Sequence, residues 1–150
     1  DLMGWGRGVA AALKPGGRFV LLEFHPFLNV YNEKLELAYD YGGGDAIHFE
    51  EGIGDYVAES GGALTHTGQT IEDAAQFHNP NPVYEFCWGT GDIVGALLAA
   101  GLRLEVFREY PYSNGWKPFS DMRELPGRRM VLPEGMPNIP FMLGLVAVRP

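Results

Sequence analysis

An imidazole and a carboxylate follow an apolar run near the start of the chain. Residues 19–22 are apolar at every position, and Glu23, Phe24 and His25 come directly after them. An imidazole titrates near neutral pH, so His25 could take a proton from a nucleophile; it could equally be a structural histidine that holds its loop in place. Ligands of open α/β sheets bind beyond the carboxyl ends of strands, which makes this position a candidate site.

Three aromatic residues stand two positions apart in the second half of the chain. Tyr84, Phe86 and Trp88 would share one face of a strand, because successive side chains of a strand alternate between its faces. Such a stripe usually packs in a core, but it can also form an aromatic wall around a small molecule. The pattern alone leaves both interpretations open.

The segment around these aromatic residues is acidic. No Lys or Arg occurs between Lys34 and Arg103, whereas eleven Asp and Glu residues do. If this segment covers a pocket, its field favours a neutral or cationic ligand over a phosphorylated one; otherwise it is a solvated acidic surface. The chain has four histidines, all in or beside the segment: His25, His48, His66 and His78. No two have the close spacing of metal ligands, so we predict no metal site.

The composition is that of one globular domain. The 150 residues are 46% hydrophobic, which is enough for a core, so we expect a single domain over residues 1–150. A net charge of -8 disfavours nucleic acid and anionic lipid as partners, and no apolar stretch approaches the ~20 residues of a membrane-spanning helix. The lone Cys87 excludes an internal disulfide and fits a reducing, cytoplasmic setting.

The chain begins with a predicted helix, turn and strand. Apolar residues recur at helical spacing over residues 2–13, and Pro15-Gly16 then provides the fixed φ and the positive φ of a type II turn. The strand that follows, residues 18–24, carries the unbroken apolar run, which predicts burial on both faces. Because the sequence starts inside the helix pattern and without Met, we interpret the chain as a fragment of a larger protein.

A second helix and two strands are predicted in the last third of the chain. A helical stripe over residues 93–98 ends at Gly101, and residues 102–109 alternate as a strand with one wet face. The last strand, residues 141–148, is apolar throughout, so we expect it between the other two strands. No helix pattern fills residues 111–140, and parallel neighbours usually need a helical crossover, so the last strand should run antiparallel.

A long connection, from about residue 25 to residue 88, joins the two units. It is far longer than the loops of compact α/β domains, and such segments are usually functional. Within it we predict a short helix over residues 31–39 and strand pairing near residues 55–59.

Three separated segments resemble the C-terminal half of a class I S-adenosylmethionine-dependent methyltransferase. "VAAALKPGGRFVLLEFHP" is similar to the helix, Pro-Gly-Gly turn and strand that follow the cofactor-binding half of those enzymes. "GDIVGALLAAGLRLEVFREYPYS" is similar to their next helix and the strand that ends in an acidic residue, and "IPFMLGLVAVRP" to their closing antiparallel strand. The resemblance implies a Rossmann-like α/β sheet, of which this chain would hold the C-terminal half with an antiparallel last strand.

The resemblance also implies a function and a set of site residues. It implies methyl transfer from S-adenosylmethionine to a small-molecule acceptor, with His25 as the catalytic residue. Leu2 and Trp5 would lie near the cofactor, because the start of this helix passes close to the cofactor pocket in the family. The residues expected to contact the acceptor are Glu23, Phe24, Tyr84 and Trp88.

The sequence departs from the family at its cofactor-binding half. The glycine-rich loop and the acidic residue that bind the cofactor are absent, and the glycines at 42–44 follow no strong strand signal. Phe86 and Trp88 stand where related sequences often carry Trp and His. We expect the strand edge at 18–24 to be covered by a missing half, by another copy of the chain, or by a segment of the long connection that folds back over it. The alternative is a non-catalytic binding or dimerisation module that retains the half-fold.

Overall fold

The computed structural model describes residues 1–32, 34–44, 46–50 and 79–150. These residues form two α-helices, α1 (Leu2–Ala12) and α2 (Thr90–Ala99), and a 3₁₀ helix, Pro26–Val30. They also form eight strands: β1 (Arg18–Phe24), β2 (Ala46–Phe49), β3 (Val83–Phe86), β4 (Arg103–Tyr110), β5 (Ser113–Asn114), β6 (Arg123–Leu125), β7 (Arg129–Val131) and β8 (Met142–Val148). All the strand pairs that these residues form are antiparallel, so the described fold is mixed α/β with antiparallel sheets.

The main sheet has the strand order β1-β8-β4. β8 runs antiparallel to both neighbours, so β1 and β4 are parallel to each other on either side of it. The predictions that the last strand lies between the other two and runs antiparallel are confirmed. β8 can hold the central place because nearly all its side chains are apolar and buried.

Both α-helices pack on one face of the main sheet. Their apolar side chains, among them Trp5 and Leu97, form a core with Leu143 and Leu145 of β8. The helices also contact each other at Gly6, where an added Cβ would lie 2.5 Å from the carbonyl oxygen of Ala96. This close approach depends on the missing side chain of glycine.

The opposite face of the main sheet carries no helix among the described residues. Val20 and Leu22 of β1 lie on it and are 68% and 60% exposed. The prediction that β1 is buried on both faces is therefore wrong, because the described part of the chain covers only one face. We call this uncovered face, which carries Val20 and Leu22, the bare face. A β-bulge between Leu104 and Val106 shifts β4, so that Val106 pairs with Val146 on the bare face.

The predicted chain reversals have the expected backbone conformations. Gly16 has a φ of 75°, and the N–H of Gly17 donates to the carbonyl of Lys14, which closes the turn between α1 and β1. Gly101 has a φ of 82° and donates to the carbonyl of Leu98, which ends α2.

The predicted helix over residues 31–39 is wrong. Tyr31 instead forms a β-bridge with Leu37. The side-chain oxygen of Asn32 accepts hydrogen bonds from the N–H groups of Lys34 and Glu36, and Leu35 between them has a φ of 62°. Local side-chain to backbone hydrogen bonds of this kind favour a turn over a helix. The strand pairing predicted near residues 55–59 lies outside the described residues.

Residues 111–140 form a second, smaller sheet with the order β5-β7-β6. No α-helix occurs in this stretch, all of which is described, as the sequence predicts. The sheet contributes to a second buried cluster that it shares with the 3₁₀ helix: Leu28, Phe119, Met122, Met130, Leu132 and Phe141. Phe141 of this cluster accepts a hydrogen bond from the N–H of His25 and donates one to the carbonyl of Tyr110, so it joins the carboxyl ends of β1 and β4.

Candidate functional site

A shallow cavity of about 360 Å³, wide open to solvent, lies beside the start of α1 and the end of β1. We call it the indole cavity, because two of its lining residues are tryptophans; the lining residues are Asp1, Leu2, Trp5, Leu21, Glu23, Trp88 and Ile93. Four of the seven site residues expected from the sequence, two for the cofactor and two for the acceptor, therefore meet at one cavity. They come from three segments that are far apart in the sequence.

The α1 side of the cavity is held by a helix cap and an aromatic contact. The carboxylate of Asp1 accepts a hydrogen bond of 3.0 Å from the N–H of Gly4 and lies 3.6 Å from the guanidinium of Arg7. Trp5 makes an edge contact with Phe19 of β1, with 5.8 Å between the ring centroids. Trp5 is thus both a partly buried core residue and a wall of the cavity.

Trp88 is positioned by Gly44. An added Cβ on Gly44 would lie 2.4 Å from the indole of Trp88, so the ring packs directly on the glycine backbone. Gly44 has a φ of 72° and donates a 2.9 Å hydrogen bond to the carbonyl of Cys87. The hydroxyl of Tyr41 accepts a hydrogen bond from the N–H of Thr90. This bond joins the start of α2 to Tyr41, which directly precedes the three glycines at residues 42–44. The glycines thus support an aromatic wall.

Glu23 provides an acidic group at the cavity. Its Oε1 accepts a 2.8 Å hydrogen bond from the N–H of Phe24, and no Lys or Arg forms a salt bridge with it in the described part of the chain. Glu23 and Glu109 each pair with Leu143 in the main sheet, from opposite sides. The two carboxylates therefore stand on one face, at the carboxyl ends of β1 and β4.

His25 is buried, with 4% of its surface exposed, and both of its ring nitrogens have partners. Nδ1 accepts a 3.0 Å hydrogen bond from the N–H of Phe27, so in the neutral ring Nε2 carries the hydrogen. Nε2 then donates to Oε1 of Glu109 at 2.9 Å. This arrangement satisfies the histidine and orients a half-exposed carboxylate. His25 can accept a further proton only if the bond to Phe27 breaks.

Phe24 and Tyr84 lie outside the indole cavity. The ring of Phe24 packs against Trp116 with 4.6 Å between centroids. Tyr84 stacks on His48 at 4.4 Å across the β2-β3 ribbon and is 59% exposed. Phe86 is also exposed and stacks on Trp88, with 6.4 Å between their centroids. The stripe therefore does not pack in a core; it forms an exposed aromatic surface that reaches the cavity at Trp88.

Sequence reasoning missed two elements of this site. One is the hydrogen-bonded pair of His25 and Glu109; its signal was the acidic residue that ends the second predicted strand. The other is the contact of Gly44 with Trp88, for which the sequence offers no signal beyond the glycines themselves. Among the described residues no cluster of three or more His, Cys, Asp or Glu could hold a metal ion, while His66 and His78 lie outside them.

Comparisons with family models, curated proteins and solved structures found no match to this chain. In the described part of the chain, no helix is long and apolar enough to cross a membrane.

Proposed function

We propose that this chain is the acceptor-side half of a cytoplasmic S-adenosylmethionine-dependent methyltransferase that acts on a small molecule. The observation that carries the proposal is the order β1-β8-β4, in which an antiparallel last strand lies between two parallel strands. This is the reversed order that the resembled family has at the end of its sheet. The convergence of Leu2, Trp5, Glu23 and Trp88 on one cavity adds support.

The site residues have distinct roles in this proposal. Leu2 and Trp5 face the cofactor, and Glu23 and Trp88 contact the acceptor. The nucleophile of the acceptor attacks the methyl carbon, and the electron pair of the carbon–sulfur bond stays on sulfur, so catalysis rests mainly on alignment of the two molecules. The proton that the acceptor loses passes to the hydrogen-bonded pair of His25 and Glu109, whose exposed carboxylate is the accessible member.

The proposal requires a cofactor-binding half that packs on β1. The outer edge of β1 pairs with no strand among the described residues. Beside this edge, Val20 and Leu22 present an apolar surface to solvent. An open edge next to exposed aliphatic side chains is a typical place for another strand to add. We propose that the missing half places a strand here and covers both side chains.

The same edge supports the alternative, a non-catalytic binding or dimerisation module. In that case a second copy of the chain, rather than a cofactor-binding half, would cover β1. Size-exclusion chromatography with light scattering separates the two: a dimer of this chain whose β1 amides are protected from hydrogen exchange favours the module.

Cofactor binding and turnover test the proposal directly. By calorimetry, the 150-residue chain alone should bind S-adenosylmethionine weakly or not at all, and the protein as it occurs in cells should bind it in a 1:1 complex. That protein should also transfer label from tritiated S-adenosylmethionine to a small molecule in a cell extract. Tight 1:1 binding by the isolated chain would place the cofactor site within it, and absence of transfer by the cellular protein would exclude the enzyme.

The pair of His25 and Glu109 gives a second test. Glu109→Gln keeps the shape of the side chain and should lower turnover by about 100-fold, the lower range for a lost general base, with little change in melting temperature. His25→Ala should lower turnover and also destabilise the protein by about 1 to 3 kcal/mol, because the partly buried N–H of Phe27 loses its acceptor. Unchanged turnover in Glu109→Gln would remove the pair from the mechanism.

A further inference from the structure

The indole cavity combines apolar walls with one acidic group. Trp5, Leu21, Trp88 and Ile93 provide apolar and aromatic surface, while Glu23 provides a carboxylate that has no basic partner in the described part of the chain. The other carboxylate at the cavity, on Asp1, is already engaged by the N–H of Gly4 and by Arg7. The charge left for a ligand is therefore that of Glu23.

We propose that the indole cavity binds an organic cation, and that the acceptor of the proposed methyltransferase is a small amine that enters the site as its ammonium ion. The ammonium group then gives one proton to the pair of His25 and Glu109, and the neutral nitrogen attacks the methyl carbon with the lone pair that this leaves. Indole faces attract cations through their quadrupole, and the attraction adds to that of a nearby carboxylate. A volume of about 360 Å³ is at the small end for ligand cavities, which suits a compact molecule. An anionic acceptor would meet Glu23, and the described residues that line the cavity include no Lys, Arg or His.

That the cation is the methyl acceptor rests on the proposed function. That the cavity binds a cation does not rest on it. Two sources could supply the positive charge: an ammonium group of the acceptor, or the sulfonium group of the cofactor. Both would be recognised by the same indoles and the same carboxylate, so the experiment needs an arm for each.

Choline and 3,3-dimethyl-1-butanol form a suitable probe pair because they have the same shape. Choline ends in a trimethylammonium group, which is positively charged, and the alcohol ends in a tert-butyl group, which is neutral. Nuclear magnetic resonance of the indole N–H groups can follow their binding, since the chain has three tryptophans. Trp5 and Trp88 line the cavity, whereas Trp116 does not and serves as an internal control. Single Trp→Phe variants assign the signals.

We expect choline to shift the signals of Trp5 and Trp88 but not that of Trp116, and to bind at least fivefold more tightly than 3,3-dimethyl-1-butanol. Glu23→Gln, which keeps the acceptor for the N–H of Phe24, should remove most of this preference. Glu134→Gln alters an exposed carboxylate outside the lining of the cavity and is the matched control. Equal binding of the two probes, or a preference that survives Glu23→Gln, would overturn cation recognition.

A competition experiment separates the two sources of charge. If the cavity is the acceptor site, a saturating concentration of S-adenosylmethionine should leave choline binding to the cellular protein intact. Displacement of choline by S-adenosylmethionine, but not by S-adenosylhomocysteine, which lacks the sulfonium charge, would assign the cavity to the cofactor and overturn the acceptor assignment. A protein that binds choline as described but never transfers a methyl group would refute the proposed function and leave cation recognition standing.

Discussion

The two faces of the main sheet are built from the same three strands but have opposite surroundings. On one face Leu21 and Leu145 lie beneath α1 and α2 in a common core. On the other face Val20 and Leu22 are mostly exposed. Within β1 the two sets alternate residue by residue and are equally apolar. The difference therefore comes from what the described part of the chain places above each face.

The helix-covered face should therefore govern the stability of the chain, and the bare face should govern its association with other chains. Burial beneath the helices contributes hydrophobic free energy within the chain itself. The bare face beside the open edge of β1 gains that contribution only when another chain or segment covers it. Substitutions on the first face should change the free energy of unfolding, and substitutions on the second should change association.

The largest effect should come from matched truncations of one leucine on each face. Leu145→Ala removes a side chain that is 1% exposed, and we expect a loss of about 2 to 5 kcal/mol in the free energy of unfolding. Leu22→Ala should change it by about 0.5 kcal/mol or less, as for other surface positions. Urea unfolding of the isolated chain measures both. If both variants lost the same free energy of unfolding, Leu22 would have to be buried within the isolated chain, and the bare face would not be bare.

A smaller effect should come from the contact between the two helices. Gly6→Ala forces a methyl group against the carbonyl of Ala96, and we expect a destabilisation of about 1 to 3 kcal/mol. Gly8→Ala lies in the same helix with no atom within 4 Å of the new Cβ, and should stabilise the chain by about 0.5 to 1 kcal/mol. Thermal unfolding checks both signs. If Gly6→Ala were neutral or stabilising, the helices would not approach as closely as described.

The smallest effect on stability, but a clear one on association, should come from a charge on the bare face. Val20 is 68% exposed in the chain, so Val20→Lys should change the melting temperature little. The new ammonium group would, however, face the apolar surface of the chain expected to pack on β1, so that association should be lost. Arg103→Ala, a change at an exposed residue of β4 on the other edge, is the control. Sedimentation of the cellular assembly measures the effect; unchanged association in Val20→Lys would show that the bare face is not an interface.

Much of the architecture follows from local sequence signals. The periodicity of α1, the Pro15-Gly16 turn and the Gly101 cap act over a few residues, and the structure has all three. The central place of β8 was also predictable, because a strand that is apolar at nearly every position is favoured between two neighbouring strands. For β1 the same argument was wrong, because an apolar run shows what a strand can bury and not what covers it.

Four of the residues proposed from the sequence line the indole cavity, but the sequence did not show that they would meet there. Trp5, Glu23 and Trp88 could be proposed from the sequence, and one cavity holds all three. Their common place depends on how separate segments pack, as does the contact between Gly44 and Trp88. The exposure of the aromatic stripe likewise depends on what lies over the β2-β3 ribbon.

The sequence by itself determined α1, α2, the turns at Gly16 and Gly101 and the order of the main sheet, because these depend on backbone preferences and on patterns of apolar residues. The tertiary structure decided the partner of His25, which is Glu109, 84 residues away. It also decided that a β-bulge turns Val106 to the bare face. Both outcomes depend on the register of β1 and β4 against β8, and register is a property of paired strands that no single segment carries.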